Sequence, residues 1–238
     1  MEKIKKIILI LLGIIMIGAA GMVSVYFSEA IVNKERFPVM GVDVSHYQGE
    51  IDWQELERQN VSFAFIKATE GSGHIDEFAR RNLESAAETN IKISAYHFFS
   101  FDSSGETQAE NYISVVGKDD INMPPVVDIE YYGDKSANKP DGEELEKILT
   151  PLMTRLEDYY GVKPIIYTTL AMYNKYKEYF SDYPLWIRSV YCEPEFVQWK
   201  FWQYSDKGEL YGFVGEEQYI DLNVYNGSEE EFYDEYSE

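Results

Sequence analysis

Two acidic residues, Asp128 and Glu130, stand one residue apart at the end of a short apolar run, residues 125–130. If this run is a β-strand, its side chains alternate between two faces, so both carboxyl groups share one face with Cα atoms about 6.6 Å apart. Two carboxyl groups this close resist joint ionisation, which raises the pKa of one of them and lets it act as a general acid in glycosidic cleavage. Taken alone, the pair also fits two acids that end a strand and form ion pairs at the surface.

The surrounding sequence alternates between short apolar runs and longer amphipathic stretches. Eight runs rich in Val, Ile, Phe and Tyr predict strands: Val39–Val44, Ser62–Ala68, Lys92–Phe99, Pro125–Glu130, Pro164–Thr168, Pro184–Val190, Lys200–Tyr204 and Gln218–Leu222. Stretches with helical spacing lie between them: Trp53–Gln59, Phe78–Thr89, Glu106–Val116 and Gly142–Tyr160. In the last of these, Pro151 predicts a kink or the start of a second helix. The pattern predicts an α/β fold, an irregular (β/α) TIM-like barrel with eight strands and fewer helices than a full TIM barrel.

The active sites of such barrels lie at the carboxyl ends of the strands. These ends supply four acids, predicted as catalytic, and further polar or aromatic side chains: Asp43, Asp128, Glu130 and Asp221, with Lys67, Tyr96, His97, Tyr167, Trp186, Trp202, Gln203 and Tyr204. The first and last strands are neighbours in a closed barrel and lie opposite the fourth, so Asp43 and Asp221 approach the acidic pair from the other wall. Alternation turns either Trp202 or Gln203 inward, but not both. We expect His97 to be a hydrogen-bonded core or wall residue.

The composition excludes several classes of function. The net charge is −21, and because the first 36 residues carry +2, the rest of the chain carries −23. Such an acidic domain repels the phosphates of nucleic acids, so we predict no nucleic-acid partner. The chain has three histidines and no metal-ligand spacing, so we predict neither a metal nor another cofactor. The single cysteine, Cys192, excludes an intrachain disulfide.

The amino terminus predicts a membrane segment. Three lysines precede an uncharged run, residues 7–27, which as a helix spans about 31 Å, enough for a bilayer core. The lysines stay inside, which leaves the following residues outside. We predict a single-pass membrane protein with this layout: a cytoplasmic basic end (1–6), a signal-anchor helix (7–27), a linker (28–37), an extracytoplasmic catalytic barrel (38–225) and a solvated acidic tail (226–238). Cleavage of the segment as a signal peptide, followed by secretion, is the alternative.

Several short motifs, read in order over residues 39–225, resemble those of family 25 glycoside hydrolases, the Chalaropsis-type lysozymes. The motifs are Gly41–Gly49, Ile51–Trp53, Phe65–Gly71, Ala95–Phe99, Val127–Glu130, Ile166–Tyr167, Leu185–Trp186, Trp202–Tyr204 and Asp221–Asn223. Two positions depart from the residues that are usual in the family: Arg188 replaces a small residue and Ser94 replaces a glycine.

The resemblance implies N-acetylmuramidase activity, which cuts the β-1,4 bond between N-acetylmuramic acid and N-acetylglucosamine in peptidoglycan. It implies that Glu130 protonates the leaving oxygen. Asp128 would support the reaction by orienting or charge-stabilising the 2-acetamido group of the substrate, or else by acting directly as base or nucleophile. Asp43 and Asp221 would tune and position these groups. We expect contacts with the substrate from Lys67, Tyr96, Tyr167, Trp186 and Gln203.

The expected partners are therefore peptidoglycan glycan strands and, through the amino-terminal helix, the membrane. The 20 tyrosines and 4 tryptophans suit sugar binding, because aromatic faces stack on pyranose rings, and they equally suit a β-rich core. Three alternatives stay open: a non-catalytic wall-glycan-binding module of an envelope complex, an enzyme acting on chitin-like or other N-acetylated glycans, and a scaffold protein of an envelope complex. The presence of both Asp128 and Glu130 argues against the first.

Overall fold

The eight runs predicted as strands are all strands in the computed structural model, which describes residues 32–237. In chain order the strands are β1 (Met40–Val44), β2 (Glu50–Ile51), β3 (Val61–Glu70), β4 (His74–Ile75), β5 (Lys92–Phe98), β6 (Val126–Ile129), β7 (Ile165–Thr169), β8 (Leu185–Arg188), β9 (Phe201–Gly208), β10 (Phe213–Val214) and β11 (Ile220–Tyr225). Because β1 pairs with both β3 and β11, eight of them close a barrel in the order β1-β11-β9-β8-β7-β6-β5-β3. Strand β11 is antiparallel to both neighbours, and the other adjacent barrel strands are parallel.

The described part of the chain contains six α-helices. They are α1 (Trp53–Arg58), α2 (Ala79–Ala86), α3 (Gly105–Val115), α4 (Gly142–Tyr160), α5 (Leu170–Phe180) and α6 (Glu229–Glu235). The first four occupy the predicted helical stretches, so the prediction of an irregular α/β barrel with fewer helices than a full TIM barrel is confirmed.

Helix α4 illustrates how local sequence sets these boundaries. Its start is a capping box: the Asp141 carboxylate accepts the Glu144 N–H at 2.9 Å, and the Glu144 carboxylate accepts the Asp141 N–H at 2.9 Å. Its end is Gly161, which adopts the left-handed conformation at φ 78° that favours glycine. The helix continues through Pro151, so no second helix begins there.

Helix α5 is not anticipated by the sequence pattern. It begins at the Thr169 cap, whose hydroxyl accepts the Met172 N–H, and it buries Met172, Tyr176 and Phe180 at a spacing of four residues. Tyrosines and lysines on its other positions interrupt the apolar stripe and hide this spacing. The connections from β8 to β9 and from β9 to β11 contain no α-helix, as expected for an irregular second half.

The end of the chain differs from the predicted solvated tail. Residues 229–235 form α6, whose Ser228 cap accepts the Glu231 N–H. The helix buries Phe232 completely, and Tyr236, just after the helix, is 5% exposed. Its acids face outward while these two rings close the amino-terminal end of the barrel. The prediction of a solvated tail is therefore wrong, because charge counting alone overlooks two aromatic residues four positions apart.

The predicted membrane segment, residues 7–27, lies outside the described residues. Among residues 32–237, no helix is both long and apolar enough to cross a membrane.

Candidate active site

A cleft of about 210 Å³ opens at the carboxyl ends of the barrel strands. All nine residues predicted for catalysis or substrate contact line it: Asp43, Lys67, Tyr96, Asp128, Glu130, Tyr167, Trp186, Gln203 and Asp221. The barrel thus brings together side chains that are up to 178 positions apart in the sequence, from Asp43 to Asp221.

Strand alternation explains why β6 delivers both of its acids to the cleft. Val127 and Ile129 point outward into the apolar layer between the barrel and its helices. Val126 points inward, and Asp128 and Glu130 follow on the same face at the mouth. Asp128 is 6% exposed, and its Oδ1 is buried without a hydrogen-bond partner among the described residues.

A hydrogen-bond network on the opposite wall holds Asp43 and Asp221. The Gln203 side-chain amide donates to Asp43 Oδ2 at 2.9 Å and to Asp221 Oδ2 at 3.1 Å. The Asn223 amide also donates to Asp43 Oδ2, at 2.7 Å, and the Tyr167 hydroxyl donates to Gln203 Oε1 at 2.8 Å. A further hydrogen bond joins the two carboxyl groups, which requires a proton between them.

The network shows that Gln203, rather than Trp202, is the residue of β9 that faces inward. Gln203 lies on the inner face, whereas Trp202 packs in the outer apolar layer and donates its indole N–H to the Ser189 carbonyl at 2.9 Å.

Burial and crowding raise the pKa of all four acids. Burial, together with the Glu130 carboxylate, holds the pKa of Asp128 well above its usual range. Burial raises the pKa of Glu130, Arg188 opposes this effect, and Asp43 adds to it. Burial and the neighbouring Asp43 raise the pKa of Asp221 to about 9. Burial also raises the pKa of Asp43, against the hydrogen bonds that it accepts. The cleft therefore holds carboxyl groups that keep protons near neutral pH.

Lys67 is the cation on the β3 wall of the cleft. Its ammonium group lies 2.9 Å from Glu70 Oε2 and 5.2 Å from the centre of the Phe98 ring. Lys67 lowers the pKa of Asp128, so it favours the charged form of that carboxyl. Burial raises the pKa of the phenols of Tyr96 and Tyr167, which therefore stay protonated and can donate hydrogen bonds to a sugar.

Trp186 lies at the base of the cleft. Its ring stacks on Phe65 at 4.2 Å between centroids, with an interplanar angle of 28°, and lies 4.2 Å from the Tyr167 ring. Its indole N–H donates to Asn223 Oδ1 at 2.8 Å, so it also orients the amide that binds Asp43.

His97 lies on the outer face of β5 and does not line the cleft. Thr69 Oγ1 lies 2.7 Å from Nδ1, and Gln108 Oε1 lies 3.0 Å from Nε2. Burial lowers the pKa of His97 to about 4, so the ring is neutral at pH 7. It is a buried, hydrogen-bonded wall residue.

Several cleft residues are absent from the sequence prediction. Tyr47 lies on the turn after β1, its ring 4.1 Å from that of His46, whose Nδ1 lies 2.7 Å from the buried Asp76 carboxylate. Glu217 comes from the connection before β11 and accepts a hydrogen bond from Gln48 at 3.1 Å. A capping signal, Ser45 with Gln48, marks the turn that carries Tyr47. No periodicity marks Glu217, because it lies in an irregular loop.

The model of glycosyl hydrolases family 25 matches residues 42–213, which include most of the barrel. The chain belongs to glycosyl hydrolases family 25. A solved family 25 glycosyl hydrolase from Bacillus anthracis superposes with a TM-score of 0.81 at 46% identity, covering 87% of this chain and 97% of that one. The family resemblance expected from the motifs is thereby confirmed.

Two further relatives of this family 25 enzyme carry the name lysozyme. A bacterial lysozyme structure from Streptomyces coelicolor matches with a TM-score of 0.71 at 31% identity, covering 81% of this chain and 94% of that one. Lysozyme M1 of Streptomyces globisporus is 33% identical over 211 residues, 80% of this chain and 68% of the relative. The predicted enzyme class, a glycoside hydrolase of the lysozyme type, is confirmed by these matches.

Proposed function

We propose that this protein is an N-acetylmuramidase, which hydrolyses the β-1,4 bond between N-acetylmuramic acid and N-acetylglucosamine in peptidoglycan. One observation supports this most directly: Glu130 lies beside the buried Asp128 in the cleft of a family 25 barrel, and its pKa is raised by burial. A raised pKa lets a carboxyl hold its proton to higher pH, as a general acid must.

In the proposed reaction, Glu130 donates its proton to the glycosidic oxygen as the bond between that oxygen and C1 breaks. Asp128 accepts a hydrogen bond from the N–H of the 2-acetamido group, whose oxygen attacks C1 as the leaving group departs. A water molecule then attacks C1, gives its proton to the Glu130 carboxylate and restores the acetamido group. Support for this role of Asp128 comes from its unpartnered Oδ1 and from Lys67, which favours its charged form. Burial and the Glu130 carboxylate raise the pKa of Asp128, and a proton on Glu130 removes the second of these two causes.

Asp43 and Asp221 are proposed as positioning residues. They lie across the cleft from β6 and share a proton, and the amides of Gln203 and Asn223 hold Asp43 in place. The negative charge of Asp43 adds to the effect of burial in raising the pKa of Glu130, which favours its protonated form.

The test is digestion of purified peptidoglycan, with mass spectrometry of the new reducing ends. We expect N-acetylmuramic acid at those ends. Glucosamine ends would contradict the proposed bond, and no cleavage by the folded wild-type protein would favour a glycan-binding module instead.

The role of Glu130 is tested with Glu130→Gln, which removes the proton donor and keeps the shape. We expect a loss of turnover of at least about 1,000-fold with unchanged binding of glycan fragments. Exposed Glu143 on α4 supplies the matched control, because Glu143→Gln makes the same chemical change outside the cleft. Activity retained in Glu130→Gln would remove this residue from the mechanism.

We also propose that residues 7–27 anchor the enzyme in the membrane with the barrel on the extracytoplasmic side. The uncharged run and the lysines before it support this proposal. Fractionation of cells tests it: full-length protein in the membrane fraction is expected, whereas a shortened protein in the medium would indicate a cleaved signal and secretion.

A further inference from the structure

Arg188 is a cation on the inner face of the barrel mouth that the reaction described above does not use. It is the last residue of β8, two positions after Trp186 at the base of the cleft. Ile187, between them, packs in the outer apolar layer. Alternation therefore places Arg188 on the same face as Trp186, one layer nearer the mouth.

Strand register places Arg188 at the level of Glu130. Ile129 is paired with Thr168 across β6 and β7, and Thr169 is paired with Arg188 across β7 and β8. Glu130 follows Ile129, so it and Arg188 lie on either side of Thr169, two strand spacings or roughly 10 Å apart at the backbone. The guanidinium group interacts electrostatically with Glu130, Tyr167 and Asp221, so it belongs to the same group of charged side chains.

Asp206 holds the guanidinium group of Arg188. Arg188 Nη2 lies 2.7 Å from Asp206 Oδ2, and the two side chains are 34% and 36% exposed. A pair that is only partly screened by solvent keeps much of its electrostatic influence on neighbouring groups.

Glu130 shares the mouth with charged or titratable groups from strands all round the barrel. These groups are Asp43 on β1, Lys67 on β3, Tyr96 on β5, Asp128 on β6, Tyr167 on β7, Arg188 on β8 and Asp221 on β11, with Glu217 from the loop before β11. Four of these eight groups are carboxylic acids, and one of them, Asp43, raises the pKa of Glu130 in addition to burial. Arg188 acts in the opposite direction, because it lowers the pKa of Glu130.

We propose that Arg188 and Asp206 form a positioning pair for the reaction, in which Asp206 restrains the guanidinium so that Glu130 keeps the proton it donates. This proposal rests on the proposed function, since it takes Glu130 as the general acid. Asp206 offsets the positive charge of Arg188, and the balance of the two sets the pH above which Glu130 loses its proton. Neither residue touches the scissile bond.

The pair makes a prediction that a purely structural role does not make, because neutralising its two members has opposite effects. Arg188→Gln removes the charge that opposes protonation, so the pKa of Glu130 rises and the alkaline limb of kcat/KM moves to higher pH. Asp206→Asn leaves the guanidinium unrestrained, so the pKa of Glu130 falls and the same limb moves to lower pH. We expect shifts of about half a pH unit or more in each direction.

The experiment measures kcat/KM from pH 4 to 10 on soluble peptidoglycan fragments with the full-length protein. The variants are Arg188→Gln, Asp206→Asn, the double variant and Arg188→Lys, which keeps the charge and should restore the wild-type limb. Arg58→Gln is the matched control, because Arg58 pairs with Glu55 on the surface of α1 and does not line the cleft. It should leave the limb in place.

Opposite shifts in the two single variants, a double variant that follows Arg188→Gln because Asp206 acts through the guanidinium, and no shift in Arg188→Lys support the pair. The proposal is overturned if the alkaline limbs of the two single variants stay in place or move in the same direction. A rise in KM alone would overturn it too, and would assign Arg188 to substrate binding. Where a variant turns over too slowly, NMR titration of the Glu130 carboxyl in the full-length protein gives the same comparison. Glu130→Gln separates the two proposals: activity retained there contradicts the proposed mechanism, whereas an inactive Glu130→Gln with unmoved limbs contradicts only the pair.

Discussion

The interior of the barrel changes character at Trp186. Toward the amino-terminal end the interior is aromatic: Phe63 contacts Phe201 at 5.0 Å and Phe232 at 5.7 Å between ring centroids. Toward the carboxyl end it is lined with carboxyl groups, amides and phenols. We call these regions the floor and the mouth.

The difference teaches how one small barrel supports both stability and chemistry. The floor excludes water, so the acids of the mouth lie on a base of low dielectric constant. Burial is accordingly the main reason why the pKa values of Asp43, Asp128, Glu130 and Asp221 are raised. The mouth is costly to fold, because it concentrates like charges. We therefore expect substitutions in the floor to change stability and substitutions in the mouth to change activity.

The largest expected effect is in the floor. Phe232→Ala removes a fully buried ring that seals the end of the barrel, so we expect the free energy of unfolding to fall by about 3–5 kcal/mol. Urea denaturation measures this change. The adjacent Tyr233 is 43% exposed, and Tyr233→Ala should cost far less. Equal losses in the two variants would show that α6 does not seal the floor.

The next effect is in the mouth, where Asp128→Asn should separate activity from stability. We expect a loss of kcat of about 100-fold or more, about 2.7 kcal/mol, because the amide cannot carry the charge that supports the 2-acetamido group. We expect stability to rise by about 1 kcal/mol, because burial raises the pKa of Asp128, and a neutral amide avoids the cost of burying a carboxyl that is ionised in the unfolded chain. Steady-state kinetics and urea denaturation measure the two quantities, and a large fall in stability would contradict this view of the mouth.

The third prediction concerns pH. Asp221 has a pKa of about 9 in the folded protein against 3.8 as its ordinary value, so the folded state binds more protons between these values. The free energy of unfolding should therefore fall as pH rises from about 4 toward 9, by on the order of 1 kcal/mol for each pH unit between pH 5 and 8 from this group. Urea denaturation at the two pH values measures it. Asp221→Asn should flatten the dependence, whereas Glu143→Gln should not; a steeper dependence in Asp221→Asn would refute the assignment.

The smallest effect is expected at the rim. Tyr47 presents a half-exposed ring to the cleft, braced by His46, so Tyr47→Ala should raise KM by about 3- to 10-fold with little change in kcat or stability. Tyr47→Phe keeps the ring and should behave like the wild type. Kinetics on glycan fragments of increasing length provide the measurement, and equal KM values for all three proteins would exclude stacking by Tyr47.

Most of the mouth could be predicted from the sequence because two local rules suffice. Runs of β-branched and aromatic residues mark the strands, and the two-residue alternation identifies which side chains at their ends point inward. The choice between Trp202 and Gln203 lay beyond these rules, since it depends on hydrogen bonds from Gln203 to acids 18 and 160 positions away.

The floor and the rim were harder to predict, for different reasons. Helix α6 looks like a charged tail because its burial depends on two rings, Phe232 and Tyr236, that find their partners only in the closed barrel. Helix α5 carries its apolar stripe on tyrosine as much as on aliphatic residues. Glu217 reaches the cleft from a loop, where position follows from tertiary packing rather than from any repeat.

The pairing of β1 with β11 has a consequence for how the molecule is made. A chain that emerges amino end first, from a ribosome or through a channel, presents β1 about 180 residues before its partner β11. Until then one edge of β1 is unpaired, and the aromatic floor stays uncovered until Phe232 packs against it. The barrel therefore closes, and its acidic mouth takes shape, only after β11 and α6 have emerged.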